Sequence, residues 1–443
     1  MSERKAPAFG QFLDDADPPR LDATALADYV AHEPTPLARG ADGDVYEYRD
    51  GIYVRDGDIV TRRTAFALGK RWSSTVNGQV NAHLLNIDMP TVGLPDLPHG
   101  YLDYIVLENG IYWWNVGDSG SLDAHSPALG ATTKLPITYD PLAIPHSFNE
   151  WMTTVLGDDR EMHRHLWELL GYLLMTGNPL QKIFLLFGEG GNGKGTLLRL
   201  IRTMLGRENY SSMSMHQLVD DRFATSGLYG KTANISGDLS SRFLSDPQIL
   251  KEITGGDSIN ASRKFGHSFE FVPYAVPIFA SNEYFRTSDN SIGWRRRWEV
   301  IEFTRRVDTL GGFDERLLFD DIPGIFNMAM DGLRRLMARG KFAPPGEAIE
   351  ATERLHDAAD PFMLWLDEDE HVFRDDPQEM APCADVYRKY AGWCRRNGYS
   401  ALASGPFGQR LKGIGITKTR PRSGTSRTWH YVGITVMLSA TEA

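Results

Sequence analysis

Ile183-Phe184-Leu185-Leu186-Phe187-Gly188-Glu189-Gly190-Gly191-Asn192-Gly193-Lys194-Gly195-Thr196 decides how this chain is read. An apolar run of strand length enters a glycine-rich turn, and the turn opens a predicted amphipathic helix over Lys194 to Leu205. Gly188 to Lys194 satisfies the Gly-x4-Gly-Lys pattern in strand–turn–helix order. Glycines let successive backbone N–H groups converge on anionic oxygens, the helix N-terminus adds a positive dipole end, and Lys194 reaches terminal phosphates. Gly188, Gly190, Gly191, Asn192, Gly193, Lys194, Gly195 and Thr196 are therefore the expected phosphate cradle, for ATP with Mg2+. Gly195 stands where a magnesium-holding hydroxyl usually sits, and Thr196 follows one step later. Nucleotide kinases share Gly-Lys-Gly-Thr, which keeps small-molecule phosphoryl transfer open.

The surroundings are those of a folded chain of several domains. It has 443 residues, 42% hydrophobic and 24% charged, which excludes collagen-like, coiled-coil and wholly disordered classes. Its apolar runs are far shorter than a membrane span, and its start lacks an apolar signal region, so no membrane partner and a bacterial host cytoplasm are expected. Two cysteines, Cys383 and Cys394, offer no zinc spacing. The net charge of −11 hides an asymmetry: Val386 to Ala440 holds ten Lys or Arg and no Asp or Glu. Residues 1–40 read as a flexible lead with a short helix at Thr24 to His32. An N-terminal α+β and then helical domain is expected over 41–177, an ATPase core over 178–340, and a linker with a DNA-binding domain over 341–443.

Downstream of the turn, a phosphate-handling site needs a carboxylate at the end of a neighbouring strand to hold Mg2+. Asp238, closing Thr232 to Gly237, is the candidate, with Thr196 beside it as a second metal-side group. Ala275 to Ala280 forms a further strand ending in Ser281-Asn282-Glu283, where Asn282 is placed to sense the terminal phosphate; strand-end Asn is also ordinary turn chemistry. Arg295-Arg296-Arg297 precede the strand Val300 to Phe303, and guanidinium groups suit charge on a transferring phosphoryl group. Thr254 to Phe271 reads as a hairpin whose tip carries Arg263, Lys264 and His267.

In order, Gly188 to Thr196, Ala233 to Leu239, Lys251 to Asp257, Ser281 to Glu283 and Arg295 to Arg297 resemble the helicase part of phage and plasmid primase-helicases, superfamily 3 with an AAA+ core. The resemblance is dense over about residues 180–305 and looser over about 40–440. It implies a homo-hexameric ring that hydrolyses ATP between subunits and moves 3′ to 5′ on single-stranded or forked DNA in replication, with a primase or polymerase as a further partner. It makes Lys194 the Walker A lysine, Asp238 the Walker B acid, Asn282 the first sensor, and Arg296 or Arg297 the arginine finger acting on a neighbour. The hairpin becomes a pore loop gripping DNA. The region 1–100 is short for a primase domain, so a helicase without one is expected.

The basic end reads as a winged helix: a helix over Ala384 to Asn397, a second from Ser404, then strands Ile416 to Arg420 and Thr428 to Met437 flanking Pro421 to Arg427. Insertion of the second helix into a major groove would bring Gln409, Arg410 and Lys412 to DNA, with Arg422 on the wing. Docking to a protein partner is the alternative for such a module. The expected fold is thus α/β: an AAA+ P-loop core with a small α+β N-terminal domain and a C-terminal winged helix. An ATP-switched origin-binding or loader protein is the non-motor alternative.

Overall fold

The computed structural model describes the chain from Lys5 to Val436 apart from residues 41, 93–96, 98–99, 118, 222, 238, 240–242, 245–246, 263–267, 288, 290, 307–313, 359, 369–371, 374–379, 398, 400 and 421–427. Its centre is a parallel sheet of Ile183–Phe187, Tyr210–Ser211, Ala233–Ser236, Val276–Ser281 and Trp298–Glu302. Ile183–Phe187 lies between Trp298–Glu302 and Val276–Ser281, and Ala233–Ser236 then Tyr210–Ser211 complete the order. The unbroken apolar run Ile183 to Leu186 is buried throughout, as a parallel strand covered on both faces must be. Alternation sends Phe184 and Leu186 into one core and Ile183 and Leu185 into the other.

One face is covered by helices. His146–Leu156 and Arg160–Leu174 lie where the helical part of 41–177 is expected, and Asp159 caps the second through Glu161 and Met162 N–H groups. Ile322–Arg339 crosses Arg160–Leu174 at backbone contact. A Cβ at Gly171 would lie 2.1 Å from the Ala329 carbonyl oxygen, and one at Gly332 would lie 2.5 Å from that of Trp167. Only glycine permits this approach.

Two expected boundaries need correction. Residues 9–40 are not a flexible lead: Asp22 caps the helix Ala23–His32, whose Leu26, Ala27 and Val30 share a core with Phe12 and with Ile59 and Val60 of the helix Ile59–Leu68. Leu37–Gly40 then joins a four-stranded sheet with Val45–Arg49, Ile52–Arg55 and Thr91–Val92. The second correction is at 340. The helix Gly346–Ala358 lies on the last strand of the central sheet, where Val300 N–H donates to Thr352 Oγ1 at 3.1 Å and Ala351 and Leu355 enter the core. The core therefore runs on to Ala358.

The remaining end has its own core around Phe362, Trp365, Tyr390 and Phe407. It is built in the order Pro361–Glu368, Met380–Pro382, Cys383–Arg396, Ser404–Gly413, Thr417–Thr419 and His430–Val432, with the last strand between the other two. Among the described residues, no helix is long and apolar enough to cross a membrane.

Candidate functional site

The turn after Ile183–Phe187 is held open by geometry that few side chains tolerate. Gly188, Gly191 and Gly193 have φ of +142°, +71° and +96°. A Cβ on Gly188 would meet Asn192 Nδ2 and the Phe303 oxygen at 2.4 Å. Asn192 is buried and donates from Nδ2 to the Phe303 oxygen at 2.8 Å, which ties the turn to the end of the adjoining strand. Lys194 opens the helix and folds back over the turn, donating to the Glu189 oxygen at 2.7 Å, to Asn192 Oδ1 at 3.0 Å and to the Gly188 oxygen. Burial pushes its ammonium pKa down. A lysine over a glycine turn at a helix N-terminus is a cradle for anionic oxygens. The residues present fit a nucleoside triphosphate.

Thr196 is engaged in a way the sequence did not announce. Its hydroxyl donates to Glu315 Oε1 at 2.8 Å, and Arg199 donates from Nε to Glu315 Oε2 at 3.0 Å. The Arg199 bond holds the Glu315 carboxyl below its ordinary pKa, and the Thr196 bond adds to this. Glu315 lies 119 residues from Thr196, so no local pattern links them. Gly195 offers no hydroxyl, and Thr196 and Glu315 are the oxygen-bearing side chains brought together beside the turn.

Asp238 itself lies outside the described residues; its surroundings do not. Gly188 N–H donates to the Ser281 oxygen at 3.1 Å, and Leu239 N–H donates to the Ala280 oxygen at 3.1 Å. Ser281 Oγ donates to the Leu239 oxygen at 3.1 Å. The glycine turn, Ser281 and Leu239 are therefore stitched together at the C-terminal edge of the sheet, with exposed Asn282 next in the chain. Asn234 plays a structural part: its Oδ1 accepts from Ser211 Oγ at 2.8 Å and from Met213 N–H at 2.9 Å, holding the sheet margin.

The arginines sit at the opposite edge. Ile183 N–H donates to the Arg297 oxygen at 2.7 Å, at the beginning of the strand that ends in the glycine turn. Arg297 is buried: Nε donates to Thr254 Oγ1 at 2.9 Å, and other nitrogens to the Gly293 oxygen and, at 3.4 Å, the Lys251 oxygen. Arg296 is exposed and donates to Gln181 Oε1. Gln181 has φ of +57°, unusual for a side-chain-bearing residue, and its Nε2 donates to the Gly255 oxygen at 3.1 Å. Gly255 ends the helix Gln248–Gly255, which leads into an antiparallel hairpin of Ile259–Ser262 and Ser268–Phe271. The hairpin matches the sequence reading, and its tip, with Arg263, Lys264 and His267, lies outside the described residues.

In the C-terminal module the three helix residues divide. Gln409 and Lys412 are exposed. Arg410, half-buried, pairs with Asp360 and lies 4.9 Å from the Phe362 ring centroid, docking its helix onto Pro361–Glu368. Arg422 lies outside the described residues. Lys418 and Trp429 line the same groove as Gln409 and Lys412, and the Arg420 guanidinium lies over the Trp429 ring.

Known proteins resemble parts of this arrangement. A model described as a family of unknown function, DUF5906, matches residues 186–297, a span from the end of the first core strand to Arg297. A protein of Acanthamoeba polyphaga mimivirus named "Putative helicase L207/L206" is 29% identical over 153 residues, 33% of this chain. The chain covers 16% of that viral protein's length. In fold, the chain is similar to the A form apo structure of the NrS-1 C-terminal region, with a TM-score of 0.51 at 12% identity, covering 93% of this chain and 98% of that one. A second apo structure, of NrS-1 residues 305–718, gives a TM-score of 0.51 at 12% identity, covering 93% and 99%. The chain is thus an α/β protein, similar over a third of its length to a viral protein named a putative helicase.

Proposed function

We propose that this chain is the motor of an ATP-driven DNA helicase with an AAA+ core of superfamily 3, working as a ring in replication of a mobile element in its host's cytoplasm. The observation that carries the reading is the strand order. It puts the glycine turn, Ser281-Asn282 and the strand end before Asp238 at one edge, and the exposed Arg296 at the other. The two edges are one strand apart, roughly 15 Å at about 3.3 Å per residue. Arg296 cannot reach its own subunit's phosphates, so it serves a neighbour's, as a guanidinium does when it stabilises a transferring phosphoryl group. Arg297 is left with the structural task of anchoring Thr254.

In this reading Lys194 leaves the turn's carbonyls for phosphate oxygens, and Asn282 and Asp238 orient and activate the attacking water. Thr196, Glu315 and Asp238 would hold Mg2+, which would supply positive charge to offset that of the phosphates. Arg263, Lys264 and His267, which the sequence assigns to the hairpin between Ile259–Ser262 and Ser268–Phe271, are the proposed contacts to the DNA backbone. Arg296, Gln181 and the Gly255 oxygen form a continuous link from the neighbour's phosphate to the helix that carries the hairpin. The C-terminal module, with the helix and strand order of a winged helix, holds DNA near the ring.

Displacement of a labelled strand from forked DNA is the test. ATP-dependent displacement that requires a 3′ tail and is lost in Asp238→Ala supports the motor. Footprinting of a defined sequence without displacement would replace it with an origin-binding switch, and phosphoryl transfer to a nucleoside monophosphate with a kinase.

A further inference from the structure

The helix Ser404–Gly413 carries Gly405, Gly408, Gln409 and Lys412 at offsets of three and four residues, so all four lie on one face. That face looks into a groove of about 480 Å3 shared with Ile416, Thr417, Lys418 and Trp429. The two glycines leave the helix side of the groove bare. A Cβ at Gly405 would touch nothing within 4 Å, whereas one at Gly408 would lie 2.8 Å from Tyr431 Oη and 3.0 Å from Lys418 Nζ. Trp429 is 48% exposed although the tyrosine two residues on is buried. Its ring is already addressed by the Arg420 guanidinium, 4.6 Å from the centroid. Lys418 stands 5.2 Å from the Tyr431 centroid.

We infer that this groove binds one strand of DNA, with a base stacked on Trp429 and the backbone phosphates on Lys412 and Lys418, while Gln409 offers an amide to the base edge. The inference rests on the helicase reading and deepens it by naming the form of DNA the C-terminal module takes. Three features carry it. An exposed tryptophan beside cationic side chains is the composition of a sequence-tolerant single-strand platform. No carboxylate occurs between Val386 and Ala440 to oppose phosphate. The helix face is also the wall of a concave groove, shared with Lys418 and Trp429, whereas duplex reading needs a protruding helix to fill a major groove about 12 Å wide.

The test is fluorescence anisotropy of the full chain with labelled oligothymidylate and with a labelled hairpin duplex. Trp429→Ala is expected to weaken oligothymidylate binding about tenfold, the loss of one base stack, with a smaller effect on the duplex, and Trp429→Phe is expected to restore it. Lys412→Gln is expected to lower the slope of log affinity against log salt by about one. Equal binding by Trp429→Ala and wild type, or an equal or larger loss on the duplex, would overturn the groove while leaving the motor standing. Failure of the wild type to bind single strands at all would remove both.

Discussion

Lys194 shows how much chemistry one side chain holds here. Its ammonium sits on three acceptors of its own turn, and in the proposed reading binding exchanges those acceptors for phosphate oxygens. Lys194→Ala is expected to abolish ATP turnover with the melting temperature nearly unchanged, measurable by phosphate release and calorimetry. His165 makes a separate prediction. Burial, followed by the nearby charges of Lys182 and Arg339, pushes its pKa from 6.5 down to about 4, and neither ring nitrogen has a hydrogen-bond partner among the described residues. Between those values the unfolded chain binds a proton that the folded chain refuses, so stability from this group is complete above about pH 6.5 and falls as pH drops toward 4. Buried Glu299, whose carboxyl is pushed up by burial, faces the same ring, so the comparison is by difference. The melting temperature of His165→Phe minus that of wild type should grow between pH 6.5 and 4. A constant difference would contradict the assignment.

At the scale of elements, the helix Gln248–Gly255 is the part that joins the two ends of the proposed mechanism. Arg297 grips it at Thr254 and Lys251, and Gln181 grips its last carbonyl while holding Arg296. Gln181→Ala is expected to keep ATP turnover without DNA and to lose most of its stimulation by single strands, while Gln181→Asn, which tolerates positive φ, recovers part. Arg297→Ala should instead destabilise the fold by about 1–3 kcal/mol, the cost of leaving buried partners such as Thr254 unsatisfied. The glycine turn, its strand and helix and the hairpin were legible in the sequence because their signals are local: glycine spacing, apolar runs, alternation. The division of labour between Arg296 and Arg297 was not, since adjacent residues differ only in what folds against them. The tie of Arg410 to Asp360 was hidden for the same reason, since the two lie 50 residues apart. Glu315 on Thr196 and the packing of Phe12 with Leu26 are likewise products of distant chain meeting, to which periodicity is blind.

For the whole molecule, the proposed reading takes the separation of the glycine turn from Arg296 across the sheet to mean that each ATP site is shared by two subunits. A mixture of Lys194→Ala and Arg296→Ala chains, each inactive alone, should therefore regain part of the turnover, because some interfaces pair an intact turn with an intact arginine. Mixtures that stay inactive would place the site within one chain. The most direct measurement is the steady-state rate of ATP turnover with and without single-stranded DNA, on wild type and Asp238→Ala. The account predicts a rate that rises on adding the single strand and is absent in the variant at either condition. A wild-type rate indifferent to DNA would contradict it.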